Sequence, residues 1–155
     1  MVIRSQNRNL EISKDRFFEM GYGSKTIHLI LNLWYPAFTH TPAYDNNLPQ
    51  VDHVFPQSRL KAVKVTSPDT GRSVMKYRDD ARNHLANCML LTRAENGCGG
   101  KSDISPADWF KDKDANYLDL HLIPKDKALW AMDRYEDFIA ERKSLIATKF
   151  SWLIA

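Results

Sequence analysis

The sequence predicts an α+β fold, on three observations. A short β-rich run, residues 50–55, and a short apolar run, residues 88–91, sit near the middle of the chain and have strand length. Apolar residues recur at helical spacing near both ends, as Ile27, Ile30, Leu31 and Trp34 and again as Tyr135, Phe138, Ile139, Leu145 and Ile146. The chain has 155 residues, 43% hydrophobic and 26% charged, which suits one soluble domain with a core of its own.

Residues 1–9 are polar and are expected to fray. Ser13 is a good cap for a helix carrying Phe17, Phe18 and Met20, with Gly21 and Gly23 as its stop. Ser24 is the expected cap of the next helix, which Pro36 ends. His28 on that helix and His40 in the loop 37–49 have no evident chemical partner. In the run 50–55, Asp52 and His53 are adjacent, and Pro56 stops the ladder. Residues 58–86 form a long connection. Segments 61–66 and 73–77 read as strand-like or irregular around the turn Pro68-Asp69-Thr70-Gly71, and 79–85 as a helical turn.

Residues 88–91 are apolar throughout, as in a strand covered on both faces. Thr92 with Glu95 makes a capping box for a short helix through Asn96, and Gly97-Cys98-Gly99-Gly100 breaks it. Ser105-Pro106-Ala107-Asp108 is a helix start, with cap, proline at the first position and acid at the third. Residues 117–123 are a short apolar stretch ended by Pro124. Asp133 is the expected cap of a long terminal helix with a stripe from Tyr135 through Arg142 to Lys149, Phe150 and Leu153.

Several function classes are excluded at this level. No run of about 18 apolar residues exists to span a membrane, and the N-terminus has no apolar signal region. Two cysteines, Cys88 and Cys98, are too few for a disulfide framework, so reduced thiols and a cytoplasmic setting are expected. No C-x-x-C pair offers a zinc staple, and the glycines near Lys101 lack P-loop spacing. The net charge is +3, unevenly spread. Residues 57–84 carry seven bases against three acids, whereas 103–155 carry eight against ten. The basic excess lies where a phosphate backbone could be met.

Three pieces carry chemistry: Val51-Asp52-His53-Val54-Phe55-Pro56-Gln57-Ser58, then Asn87-Cys88-Met89-Leu90-Leu91-Thr92, then Glu95-Asn96-Gly97. Together they resemble the HNH (ββα-metal) nuclease motif. The wording Asp-His-x-x-Pro-Gln-Ser, Leu-Thr-Arg, Asn and Gly-Lys-Ser-Asp is shared with the HNH domain of the CRISPR single-protein effector. The flanks Leu33-Trp34-Tyr35-Pro36, Trp109, Leu122-Ile123-Pro124 and Phe138-Ile139-x-x-Arg142 look like the C-terminal portion of DGQR-type bacterial restriction proteins, the GmrSD-like and SspE-like systems. The likeness covers roughly residues 25–150. The connection before Asn87 is longer than in the CRISPR form.

The resemblance implies a ββα-metal hairpin-and-helix core in residues 50–103, buttressed by helices in 13–36 and 105–154. It implies a metal-dependent DNA endonuclease acting in defence against foreign DNA, one centre nicking one strand. His53 would be the general base, since neutral imidazole takes a proton near neutral pH. Asp52 and Asn96 would hold Mg²⁺ (or Mn²⁺); both offer hard oxygens, and Asn96 stands where many relatives have His. Asn96 thereby joins His53 and Asn87 in the catalytic set, with Asn87 holding the His53 loop. Adjacent strand residues face opposite ways, so Asp52 and His53 reach one site only through a twist or a strand end.

Lys101, Arg93, His84, Arg59 and Lys61 are candidates for DNA or phosphate contacts, each also readable as an ordinary surface or structural residue. Double-stranded DNA is the expected partner. No Asp-Gly-Gln-Arg motif occurs, so the chain reads either as a stand-alone nuclease or as the C-terminal part of a longer protein whose N-terminal portion hydrolyses nucleotides or senses modification, and the abrupt polar start favours the second. Two rival readings are an inactive DNA-binding module and a helical interaction module.

Overall fold

The computed structural model describes residues 12–35, 49–96 and 100–154. The polar segment 1–11, the stretch 36–48 with Pro36 and His40, and Gly97-Cys98-Gly99 lie outside the described residues. The architecture is α+β. In chain order it runs α1 (Lys14–Phe18), α2 (Ile27–Trp34), β1 (Gln50–His53), α3 (Gln57–Ala62), β2 (Lys64–Thr66), β3 (Ser73–Met75) and α4 (Asp79–Arg82). A 3-10 turn (Leu85–Asn87) leads into β4 (Cys88–Leu91), α5 (Arg93–Asn96), α6 (Pro106–Phe110) and α7 (Ala115–Leu120). Two further 3-10 turns (Lys127–Trp130, Met132–Arg134) precede α8 (Tyr135–Lys149).

β1 pairs antiparallel with β4, with Gln50 opposite Leu91, Asp52 opposite Met89 and His53 opposite Cys88. All four β4 residues are buried. The reason is the period of two: Cys88 and Leu90 enter a cluster with Phe17, Phe18, Ile30, Leu31 and Trp34 from the N-terminal helices. Met89 and Leu91 enter a second cluster with Phe55, Leu60, Phe110, Trp130 and Phe138. A strand with both faces covered needs four apolar residues in a row. Each such side chain contributes about 1.5–3 kcal/mol of burial.

Helix α8 joins the two clusters. Tyr135 and Phe138 lie in one, Ile146 and the following Phe150 in the other. Between them Arg142 is fully buried. Its guanidinium donates to the carbonyls of Ala86 (2.8 Å), Cys88 (2.9 Å) and His121 (2.8 Å), with a longer bond to Leu122 (3.3 Å). It also lies over the Trp34 ring, 5.2 Å from the centroid. The terminal helix is therefore bonded to the segment that presents Asn87 and begins β4.

Local signals decide several ends. Ser13 Oγ accepts from Arg16 N, and Thr92 and Glu95 close a reciprocal capping box, Glu95 N to Thr92 Oγ1 at 3.2 Å and Thr92 N to Glu95 Oε2 at 3.0 Å. Ser105 caps α6 with Pro106 at its first position. Two expectations change, and two segments take a structure that no sequence signal assigned. Ser24 does not cap α2: Thr26 is the N-cap residue, and Ser24 Oγ accepts from Thr26 N at 3.3 Å to shape the turn before it. Asp133 lies in a 3-10 turn, and α8 starts after Arg134 with no side-chain cap. The apolar stretch near 117–123 is mostly helix α7, capped by Asp114. Helix α3 was not expected, because only Leu60 in it is buried and no apolar stripe announces it.

β2 and β3 pair around the expected turn, with Lys64 opposite Met75, Val65 opposite Val74 and Thr66 opposite Ser73. Gly71 takes φ +64 there, which a side chain rarely adopts. All six paired residues are exposed.

Candidate active site

The site forms where β1 ends. His53 is the last strand residue, so the strict alternation stops there, and both Asp52 and His53 line one cleft of about 360 Å³. Asn96, from the end of α5, lines it too, with Tyr22, Pro56, Gln57, Ser58, Ser102 and Asp103. The adjacent pair Asp52-His53 and the distant Asn96 thus share a single concavity.

The backbone after His53 is pinned from below. Val54 and Phe55 are fully buried, and the Phe55 ring meets Phe138 edge-on at 4.9 Å and Tyr135 at 5.1 Å. Val54 N donates to Asn87 O at 2.7 Å. Phe55 N donates to Asn87 Oδ1 at 2.8 Å, while Asn87 Nδ2 donates to Phe55 O (3.2 Å) and Arg82 O (2.8 Å). The Asn87 amide is wholly buried and fully bonded. It holds the loop and does not line the cleft.

The His53 ring is 6% exposed. Its Nε2 lies 3.0 Å from Asn83 Oδ1 and 3.0 Å from Gln57 Nε2, and Gln57 Nε2 donates to Asn83 Oδ1 at 2.6 Å. The Tyr22 ring packs on it, centroids 4.3 Å apart. Burial lowers the imidazole pKa, and the Asn83 bond and Asp52 charge only partly oppose that. The ring is therefore neutral near pH 7, the form in which a histidine accepts a proton.

Asp52 is 18% exposed at its side chain. Its Oδ2 is buried without a hydrogen-bond partner and faces Lys101 Nζ at 3.6 Å, an ion pair too long for a hydrogen bond. Lys101 corrects the expectation of a phosphate contact: it is 0% exposed, and its ammonium also donates to the His53 carbonyl. Burial pulls its pKa down to about 8 against the pull of Asp52. Lys101 thus underpins the Asp52-His53 pair from inside.

His84 is likewise not beside the cleft. It stacks on Phe18 at 5.8 Å, its Nδ1 accepts from Ala86 N at 3.0 Å, and it lines a neighbouring pocket with Gly21, Tyr22 and Asn83. Burial lowers its pKa to about 4. Arg59 and Lys61 are exposed on α3, and Arg93 is exposed at the start of α5. Arg59 Nε donates to Asp103 O at 2.8 Å, and Ser58 Oγ bonds Asp103 Oδ1, so the two halves of the motif are tied at the cleft rim. Arg82 belongs to the interior: it is 3% exposed and donates to Tyr77 O at 2.5 Å.

Sequence reasoning gave no role to Asn83, Gln57, Tyr22 and Asp103. Gln57 stands inside the motif and was in view as wording only. The signal for Tyr22 is Gly21, read above as a helix stop. A Cβ on Gly21 would collide with the Asn83 carbonyl oxygen, to which Tyr22 N donates at 2.8 Å. Glycine is therefore needed for the approach that lays Tyr22 over His53.

The donor set suits a hard divalent ion. Among the described residues no group of three His, Cys, Asp or Glu side chains assembles. One carboxylate, whose Oδ2 is buried towards Lys101, and one amide whose Nδ2 is turned to Gln50 Oε1 at 2.7 Å both line an open cleft. Mg²⁺ or Mn²⁺ takes few protein oxygens and completes its shell with water and phosphate. Among the described residues, no helix is long and apolar enough to cross a membrane.

Comparison with known proteins gives one finding. The family model described as "GmrSD restriction endonucleases, C-terminal domain" matches residues 8–149. No curated protein and no solved structure gives a match. The match spans nearly the whole sequence and takes in most of both clusters, the β1–β4 ribbon and the cleft, so the chain belongs to the family of C-terminal domains of GmrSD restriction endonucleases.

Proposed function

We propose that the chain is a divalent-metal-dependent DNA endonuclease of the HNH type, in which one centre nicks one strand. The observation that carries this reading is the convergence of Asp52, His53 and Asn96 on one cleft, in a chain whose family is one of restriction endonuclease domains. In the proposal, Asp52 and the Asn96 side-chain oxygen hold Mg²⁺ or Mn²⁺. When bound, the ion would supply positive charge against the charge that develops on a phosphate oxygen.

His53 takes the proton of the attacking water. Where Nε2–H donates to Asn83 Oδ1, the lone pair sits on Nδ1, which becomes the accepting nitrogen; in the other tautomer Nε2 accepts from Gln57 Nε2 and Nδ1 carries the proton. Gln57 fixes the Asn83 oxygen, Asn87 fixes the loop, and Lys101 fixes the His53 carbonyl and the Asp52 carboxylate. Defence against foreign DNA in the cytoplasm, and service as the cutting part of a longer restriction protein, complete the proposal.

Supercoiled plasmid incubated with the protein and a metal series tests it. Nicked circles are expected with Mg²⁺ or Mn²⁺, none with EDTA, and a rate lower by about 10²–10⁴ for His53→Ala. Equal nicking by wild type and His53→Ala defeats the assignment. DNA binding with no cleavage in any metal would leave a binding module instead.

A further inference from the structure

We infer that the β2–β3 ribbon is the DNA-contacting element of this domain, entering a groove beside the cleft; this rests on the nuclease reading above. The first observation is exposure. All six paired residues of the ribbon are exposed, including Val65 (41%), Val74 (37%) and Met75 (41%). A lone two-stranded hairpin is only marginally stable in water, so such a ribbon is most useful when something covers it.

The second observation is charge. From Gln57 to Arg78 the chain has six basic residues, Arg59, Lys61, Lys64, Arg72, Lys76 and Arg78, and one acid, Asp69. That balance of +5 exceeds the net charge of +3 for the whole chain, so the remainder is net negative. All six bases are exposed. A positive excursion on an otherwise negative body favours a polyanion over a protein partner.

The third observation is placement. Gln57 and Ser58 line the cleft, and α3 runs from them to the foot of the ribbon, a rise of about 9 Å at 1.5 Å per residue. Lys76 at that foot is anchored by Glu136 of α8 at 3.1 Å, and Lys76 N donates to Val63 O at 2.9 Å. The ribbon therefore leaves the site in a fixed direction. Strand alternation puts Lys64, Thr66, Ser73 and Met75 on one face. The Thr66 and Ser73 hydroxyl groups there can meet base edges, and a two-stranded ribbon fits the major groove.

The test measures binding of a 30-base-pair duplex in EDTA by fluorescence anisotropy across a salt series. The double variant Lys64→Gln/Arg72→Gln should flatten the log Kd against log salt slope by about 2, near 0.9 per lost phosphate contact, and weaken binding about tenfold or more at 0.1 M salt. Thr66→Glu/Ser73→Glu should weaken it further, through charge repulsion on the groove face. Both variants should melt close to wild type, since the altered side chains are exposed. Folded variants with unchanged slope and affinity overturn the inference, whether the ribbon then docks a protein or nothing. The two readings fail separately. Plasmid nicking with an unchanged slope removes the ribbon alone, and a flattened slope with no nicking in any metal removes the nuclease alone.

Discussion

The molecule contains two antiparallel ribbons among the described residues, and they are built on opposite principles. In β1–β4 every β4 side chain is buried, the alternate residues feeding two clusters, and the strand end carries His53. In β2–β3 every paired side chain is exposed, and the flanking turns and helix carry the basic residues. The difference lies in what each must do. In the proposed role the His53 imidazole has to stay within a fraction of an ångström of its place, and its strand is locked into packing. An element that meets a long charged ligand needs surface, so it can do without a core of its own.

The polar supports of the buried ribbon are where the comparison breaks hardest. Arg142→Met keeps bulk but leaves the carbonyls of Ala86, Cys88 and His121 without their donor. Burial already lowers the Arg142 pKa to about 10, a sign of how far from water the cation sits. Loss of about 3–5 kcal/mol is expected in urea unfolding. A loss below about 1 kcal/mol would mean the bonds do not hold the two clusters together.

A pH effect comes next. His121 is 1% exposed, bonds Tyr35 Oη at 2.9 Å, and burial holds its pKa down at about 3. The folded state thus binds no proton there until well below the usual histidine range, while the unfolded chain binds one below about 6.5. Its contribution is present above pH 6.5 and is lost as pH falls towards 3, at up to about 1.4 kcal/mol per unit. His84, held down to about 4, has the same sign. Urea midpoints from pH 7 to pH 5 should fall accordingly. If His121→Gln leaves that slope unchanged, the buried imidazole is not its source.

The smallest effect belongs to the other ribbon. Val65→Thr/Val74→Thr should change stability by no more than about 0.5 kcal/mol, because both side chains already meet solvent. A larger loss in differential scanning fluorimetry would show that the exposed ribbon is part of the cooperative core, and the contrast between the two would dissolve.

What the sequence determined by itself is local. Thr92 with Glu95, Ser105 with Pro106, and the apolar run 88–91 each state their structure within a few residues, because caps and periodicities are short-range physics. The residues of the cleft, Asp52, His53 and Asn96, were legible as well, through a shared wording of motif rather than through geometry. The tertiary structure decided the rest. Lys101 looked like a surface charge and is buried under the site; His84 looked like a neighbour of the site and packs on Phe18. Tyr22 lies over His53 because Gly21 lets a distant turn come close to the Asn83 carbonyl. Burial of a charge depends on contacts made across tens of residues, as Arg142 bonding Cys88 and Lys101 bonding His53 illustrate, and no local pattern encodes it.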